Sequence, residues 1–236
     1  MLRLDKYLTD CGAGTRSEVK KLCRDGRVTV DGEVAKRPEA KVSEDASVCL
    51  DGRPLRYRKY AYYLLHKPAG VITATEDPRH RTVMDLLTDV PDKNLAPAGR
   101  LDIDTEGLLL ITNDGPLTHA LLSPAGHVPK TYFCRLAHPA SAEDVTAFSE
   151  GIPLEDGTVC LPAVCEITEE GALITLTEGK FHQVKRMWAA RGNEVLYLKR
   201  LRMGSLSLPE DLPCGAYREL TEEELAALKG CIHAER

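Results

Sequence analysis

Two carboxylates in one loop are the residues of this chain best suited to do chemistry. Residues 97–115 read PAGRLDIDTEGLLLITNDG, so Asp102 and Asp104 lie in a polar segment that runs into the apolar segment 108–111. Loops held by a strand are common positions for catalytic side chains. A carboxylate at such a position can act as a nucleophile, a general base or a metal ligand.

The metal-ligand interpretation fits this loop poorly. A calcium loop needs a regular series of oxygen ligands that ends in a glutamate, whereas residues 108–111 are Leu, Leu, Leu and Ile. The eight cysteines show no C-x-x-C or paired Cys/His spacing, and His119 and His182 have no ligand partner at metal-binding spacing. We therefore expect no metal site and no cofactor, and we expect the cysteines to be reduced thiols.

The distribution of charge suits a polyanionic partner, although the whole chain has a formal net charge of -5. Residues 1–60 hold 14 Lys and Arg against 10 Asp and Glu, a net of +4, and residues 180–202 hold seven cations and one acid. Basic patches of this kind attract phosphates independently of sequence, although a solvated helix face would look the same. The cations expected at the solvent side of the N-terminal patch are Lys20, Lys21, Arg24 and Arg27.

The order of the predicted elements indicates two domains. Two helices, the second with a capping box from Thr15 to Glu18, a hairpin at Asp31-Gly32 and the strand SVCL predict a compact unit at residues 1–50. Residues 51–60 lack periodicity and predict a linker. In residues 61–236, segments typical of strands (LLLIT, TYFCRL) alternate with segments typical of helices (TVMDLL, HQVKRMWAA). This alternation predicts an α+β domain with a mixed sheet.

Several segments together resemble the pseudouridine synthases. GRLDIDTEGLLLITNDG is similar to the catalytic-aspartate motif of that family, residues 64–87 to its Lys-Pro-x-Gly strand and following helix, residues 130–136 to its tyrosine strand, and residues 178–204 to its basic helix. The first 50 residues resemble the small RNA-binding domain named after ribosomal protein S4. The resemblance implies a small N-terminal S4-like (alpha-L) domain, followed in the chain by a catalytic domain whose mixed, mainly antiparallel sheet is flanked by helices.

The same resemblance implies a reaction and a substrate, namely the isomerisation of uridine to pseudouridine in ribosomal RNA. HQVKRM, at residues 182–187, resembles the branch that modifies the small subunit, which implies 16S rRNA. Asp102 takes the role of the catalytic carboxylate. An enclosed carboxylate needs an opposite charge to remain ionised, and the resemblance assigns that charge to Lys185, with Arg186 as the second choice.

The remaining assigned residues would hold a nucleotide that has been flipped out of its helix, as chemistry at the glycosidic bond requires. Tyr132 is expected on one face of the base and Leu198 on the other. Arg100 is expected to enter the space left by the base or to bind a phosphate. Lys67, in the Lys-Pro-x-Gly motif, is expected to support the structure rather than take part in the chemistry.

Other functions remain open on the sequence alone. A non-catalytic rRNA-binding or ribosome-assembly factor would need only the N-terminal unit, and would have no need of Asp102, Tyr132 and Lys185 together. A pseudouridine synthase of 23S rRNA would differ in only a few residues. A nucleoside hydrolase that uses Asp102 with Asp104 would have no reason to carry an RNA-binding module.

Since no apolar stretch has the length of a signal peptide or a membrane span, and no heptad is visible, we expect a cytoplasmic monomer that does not contact membranes.

Overall fold

The computed structural model of the protein describes residues 1–55, 57–123 and 126–233. Contacts within the chain divide it into two compact units. The first comprises Met1–Ala61 with Asp89–Leu95, and the second comprises Tyr62–Thr88 with Ala96–Arg236. Each unit buries its own apolar cluster, as an independent domain does.

The first unit combines two helices with short strands. Its elements are β1 (Leu2–Arg3), α1 (Leu4–Asp10), α2 (Arg16–Arg24), β2 (Val28–Val30), β3 (Glu33–Val34), β4 (Lys41–Val42), β5 (Val48–Leu50) and β6 (Arg53–Leu55). Four strands form a sheet in the order β3-β2-β5-β6, and β1 pairs with β4. The apolar faces of α1 and α2 bury Leu4, Tyr7, Leu8, Val19 and Cys23, which leaves the basic residues of α2 on the outside.

Two local signals in this unit are confirmed. Glu18 N donates to Thr15 Oγ1, and Thr15 N donates to Glu18 Oε2 at 2.7 Å, so the predicted capping box begins α2. Asp31 and Gly32 have φ values of 51° and 87°, and they join β2 to β3 as a two-residue hairpin turn. Both residues need positive φ in such a turn, which is why the Asp-Gly pair predicted it.

A strand lies inside the segment that we expected to be a linker. β6 pairs with β5, and Pro54 lies opposite Cys49. The strand is at the edge of its sheet, where a proline is tolerated because no N–H is needed on the open side. Tertiary pairing therefore decides the state of these residues, for which the sequence has no periodicity.

The second unit is built on one sheet. Its elements are β7 (Tyr62–Lys67), a 3-10 helix (Val83–Leu86), β8 (Ala96–Pro97), β9 (Glu106–Thr112), α3 (Gly115–Leu122), β10 (Lys130–Leu136), α4 (Ala142–Glu150), β11 (Val164–Thr168), β12 (Gly171–Leu176), α5 (Gln183–Ala190), β13 (Val195–Met203), β14 (Leu206–Ser207), β15 (Tyr217–Glu219) and α6 (Glu222–His233). The strand order is β11-β12-β10-β13-β9-β7-β15, with β14 beside β13 and β8 beside β9. Among the pairings of these described strands, β9 with β13 is parallel and the others are antiparallel. The predicted α+β class with a mixed, mainly antiparallel sheet is confirmed.

The parallel pairing depends on Gly107. This residue has a φ of +112° and lies opposite Arg200, and a Cβ at position 107 would approach Arg200 O to 2.2 Å. Only glycine permits so close an approach of two backbones. The contact places β13 directly beside the strand that follows the Asp102 loop.

The helices of this unit cover apolar clusters. The ring centroids of Phe148 on α4 and Trp188 on α5 lie 4.8 Å apart. Val184 and Met187 are buried with them, as the helical spacing of Met187 and Trp188 from Val184 predicts. The helix predicted from TVMDLL is wrong in type, because residues 83–86 form a single 3-10 turn. Asp85 caps this turn through Thr82, and Leu87 leaves the helical conformation at ψ 76°, so no second turn follows. In the part of the chain that the structure describes, no helix is long and apolar enough to cross a membrane.

Candidate active site

The loop between β8 and β9 carries Asp102, and the ammonium of Lys67 holds this loop. Lys67 Nζ donates to the backbone oxygens of Asp102 at 3.0 Å, Thr105 at 2.8 Å and Pro68 at 3.0 Å, with a longer contact of 3.4 Å to Ile103. Lys67 is fully buried, so these carbonyls replace the water that its charge would otherwise need. Burial lowers the pKa of Lys67 to about 8, although neighbouring carboxylates oppose the shift. The geometry is that of a support for the loop.

The Asp102 carboxylate faces two basic side chains. Its Oδ1 lies 3.5 Å from His182 Nε2, and its Oδ2 lies 3.6 Å from Lys185 Nζ. Lys185 is closer to Asp104, however, and donates to both of its carboxylate oxygens at 2.6 and 2.8 Å. The expected pairing of Lys185 with Asp102 is therefore shared, and Asp104 makes the shorter contacts. Burial favours the neutral form of Asp104, but the hydrogen bonds and charge of Lys185 outweigh this effect and lower its pKa.

His182 is a neighbour of Asp102 that the sequence did not reveal. It lies at the start of α5 with a φ of 49°, in the left-handed region, and its ring stacks on that of Phe181 with centroids 3.8 Å apart. The left-handed backbone is uncommon for a non-glycine residue and collects at functional sites. The sequence did contain one signal for this contact, the histidine of HQVK at the start of a basic helix. A histidine at that position can face a carboxylate as well as a metal ion.

A cavity of about 470 Å³ opens beside Asp102. This volume is within the usual range for small-molecule sites. Its walls come from the Asp102 loop, from β10 and β13, and from the segment that leads into α5. Four residues assigned to the site from the sequence line it, namely Arg100, Asp102, Tyr132 and Leu198, and His182 lines it as well.

Two buried cations at this cavity were not foreseen as a pair. Lys130 and Arg200 are 7% and 2% exposed, and both line the cavity. Lys130 Nζ donates to Val128 O at 2.8 Å, and Arg200 Nε donates to Leu108 O at 2.8 Å. Burial, with the nearby charge of Arg200, lowers the pKa of Lys130 to about 8. Arg200 Nη2 has no hydrogen-bond partner among the described residues, so it is a buried donor available to a ligand.

Two cations that were proposed from the sequence form ion pairs with other carboxylates. Arg186, the second choice as counter-ion of Asp102, donates to Asp156 Oδ2 at 2.5 Å. Successive residues of a helix point about 100° apart, so Arg186 cannot share the direction of Lys185. Arg27 is exposed to solvent, as expected, but its guanidinium also forms a two-point pair with the exposed Asp51, which offsets part of its charge.

Both units of the chain are similar to known proteins. Residues 61–190 match the family described as RNA pseudouridylate synthase, and residues 2–48 match the S4 domain. A crystal structure of a pseudouridylate synthase superposes with a TM-score of 0.68 at 35% identity, and covers 97% of this chain and 100% of its own.

Curated relatives agree with these matches over nearly their full length. An uncharacterized RNA pseudouridine synthase of Bacillus subtilis is 49% identical over 96% of this chain and 98% of its own. The ribosomal small subunit pseudouridine synthases A of Vibrio cholerae and Escherichia coli are 44% and 41% identical, over 96% of this chain and 99% and 100% of their own. The chain therefore belongs to the RNA pseudouridylate synthase family, and it carries an S4 domain at its N-terminal end.

Proposed function

We propose that this protein converts uridine to pseudouridine at a site in 16S rRNA and that Asp102 is its catalytic carboxylate. The observation that carries the proposal is the position of Asp102 at the wall of a cavity, within 3.6 Å of two basic side chains. The names of the relatives from Vibrio cholerae and Escherichia coli support a small-subunit substrate.

The proposed reaction is an isomerisation that requires a carboxylate. The bond between N1 of uracil and C1′ of ribose breaks, the base turns, and its C5 bonds to the same C1′. The proton leaves C5 and N1 gains one, so neither electrons nor atoms are added. Asp102 serves as nucleophile or base beside the electron-deficient sugar, a role that carboxylates also have in glycoside chemistry.

The cavity residues would hold the flipped nucleotide. Tyr132 and Leu198 supply an aromatic and an apolar surface for the base. Arg200 Nη2, which lacks a protein acceptor among the described residues, donates to an oxygen atom of the nucleotide. Arg100 is exposed at the rim, where it reaches a phosphate or the space left by the base.

Binding of the surrounding rRNA is assigned to the exposed basic face of α2 and to the basic segment 180–202. Phosphate contacts of this kind position an RNA without reading its sequence. Lys185 remains the counter-ion of Asp102 in this proposal, and Arg186 does not, because Asp156 binds it. The residues proposed for the site come from one chain, so we propose that a monomer is active.

The alternative of a non-catalytic rRNA-binding factor is disfavoured by the site. A binding factor gains nothing from a carboxylate at a cavity with a buried lysine holding its loop. A buried lysine is costly, and buried charged groups with perturbed pKa values are concentrated at functional sites.

The proposal is tested by mapping pseudouridines in rRNA from cells that lack the gene. Complementation uses the wild-type gene, Asp102→Asn, or the exposed control Asp211→Asn. We expect one pseudouridine of 16S rRNA to disappear, and to return with the wild type and the control but not with Asp102→Asn. Loss of a 23S rRNA position instead would reassign the substrate. An unchanged pseudouridine map would support the binding factor.

A further inference from the structure

A second cluster of chemically active side chains lies in the catalytic unit. His66 on β7, Glu106 on β9 and Cys214 before β15 place one ligand atom each within 4.8 Å of one another. None of the three is among the described residues that line the Asp102 cavity. Imidazole nitrogen, carboxylate oxygen and thiolate sulfur are the donors that zinc uses, at bond lengths that set tetrahedral ligands about 3.5 Å apart. The three atoms, within 4.8 Å of one another, therefore need to approach by at most about 1.3 Å to reach this spacing.

Backbone pairing fixes the three residues together. His66 N donates to Ala216 O at 2.9 Å, and Gly215 N donates to His66 O at 2.8 Å, so the turn with Cys214 is bound to β7. His66 lies opposite Leu108 in the pairing of β7 with β9. Opposed residues share a face of the sheet, as do residues two apart on one strand, so Glu106 lies on the face of His66.

The hydrogen bonds around the cluster prepare it for a cation. His66 Nδ1 lies 2.9 Å from Leu212 O, and since a carbonyl only accepts, Nδ1 carries the proton and Nε2 is left with a lone pair. Nε2 is buried and has no partner among the described residues, and His66 is 6% exposed. Tyr197 OH donates to Glu106 Oε2 at 2.7 Å. A histidine held through its second nitrogen and a carboxylate held by a hydroxyl are the outer-shell arrangement of metal sites.

We propose that His66, Glu106 and Cys214 bind one zinc ion, with water in the fourth position. The thiolate and the carboxylate balance the charge of the ion, and the neutral imidazole supplies the lone pair that no protein group uses among the residues the structure describes. The ion would tie β7, β9 and the turn before β15 together. Its role is structural: His66 precedes Lys67 and Glu106 follows Thr105, so the ion would stabilise the strand ends that support the Asp102 loop.

The test is metal binding by the full-length protein after its metal has been removed with EDTA. Zinc affinity is measured by competition with a chromophoric chelator, and cobalt is added separately to detect a thiolate-to-cobalt charge-transfer band. The variants are Cys214→Ser and Glu106→Gln, which keeps an acceptor for Tyr197. Cys231→Ser, at a partly buried cysteine of α6, is the matched control. Circular dichroism checks that each variant is folded.

We expect one zinc ion per wild-type chain and an increase in melting temperature when zinc is added. Cys214→Ser should weaken zinc binding at least about 100-fold and remove the cobalt band, since even outer-shell changes cost about 10–100-fold. Glu106→Gln should weaken binding at least about tenfold, and Cys231→Ser should bind like the wild type. Sub-stoichiometric zinc in the wild type, or a cobalt band that persists in folded Cys214→Ser, would overturn the proposal.

Discussion

The substitution Lys67→Met tests whether Lys67 positions the Asp102 loop for catalysis or only stabilises the fold. Methionine is close to lysine in length and apolar, so it fills the same buried space without the charge. The pKa of Lys67 falls from 10.5 to about 8, which at about 1.4 kcal/mol per unit corresponds to about 3 kcal/mol against the charged form. The substitution removes this penalty.

The opposing cost comes from the carbonyls that lose their donor. Asp102 O and Ile103 O retain backbone donors, Thr105 N at 3.1 Å and Gly70 N at 2.7 Å, whereas Thr105 O and Pro68 O lose the ammonium. At about 1–3 kcal/mol for each carbonyl, the loss is roughly 2–6 kcal/mol. The net change in the free energy of unfolding then lies between a gain of about 1 kcal/mol and a loss of about 3 kcal/mol, which a domain of ordinary stability survives.

The effect on catalysis should be larger than the effect on folding. A loop released from Lys67 misplaces the Asp102 carboxylate, and a displacement of about 1 Å costs about 100-fold in rate. The assay is tritium release from 5-labelled uridine in an rRNA transcript, with protein in excess, beside RNA affinity and melting temperature. Lys229→Met, at an exposed lysine, is the control. A folded Lys67→Met variant whose single-turnover rate is within a few-fold of the wild-type rate would refute the supporting role.

Three further predictions follow from the charges around the site and on α2. Lys185→Met should lower the single-turnover rate about 100-fold, because it removes the charge facing Asp102. Asp104→Asn should retain most of the activity. Equal losses of rate in the two variants would contradict this prediction. The wild-type rate should fall as the pH rises through about 8, where the Lys67 ammonium loses a proton and one donor. Lys67→Arg should move this limb to higher pH, and an unmoved limb would assign it to another group. Neutralising three cations of α2 together should reduce the slope of log affinity against log salt, by up to about 0.7 for each phosphate of single-stranded RNA that is no longer neutralised. Arg27→Gln should change the slope less, since Asp51 already pairs with Arg27, and an equal effect would show that the pair opens on RNA. The α2 cations to be neutralised together are Lys20, Lys21 and Arg24.

Local signals in the sequence determined much of the first unit and the type of most elements. The capping box at Thr15 and the Asp31-Gly32 turn are decided by hydrogen bonds and φ preferences between residues close together in the chain, so the sequence suffices to find them. Segments typical of strands and of helices likewise predicted β9, β10 and α5. The reaction class followed from the resemblance of whole segments, not from any single residue.

Interactions between distant residues were decided only by the tertiary structure. The sharing of Lys185 between Asp102 and Asp104, and the proximity of His182, depend on how α5 packs against a loop about 80 residues earlier. The 3-10 turn at Val83–Leu86 and the strand β6 were set by capping and pairing that override propensity.

The His66, Glu106 and Cys214 cluster shows the limit most clearly. A metal site is recognised in a sequence by the regular spacing of its ligands along the chain, and these residues are too far apart to form any such pattern. The pairing of β7 with β9 and the turn bound to His66 bring them together. Sheet register is a global property that depends on which strands become neighbours, and so local sequence could not reveal this juxtaposition.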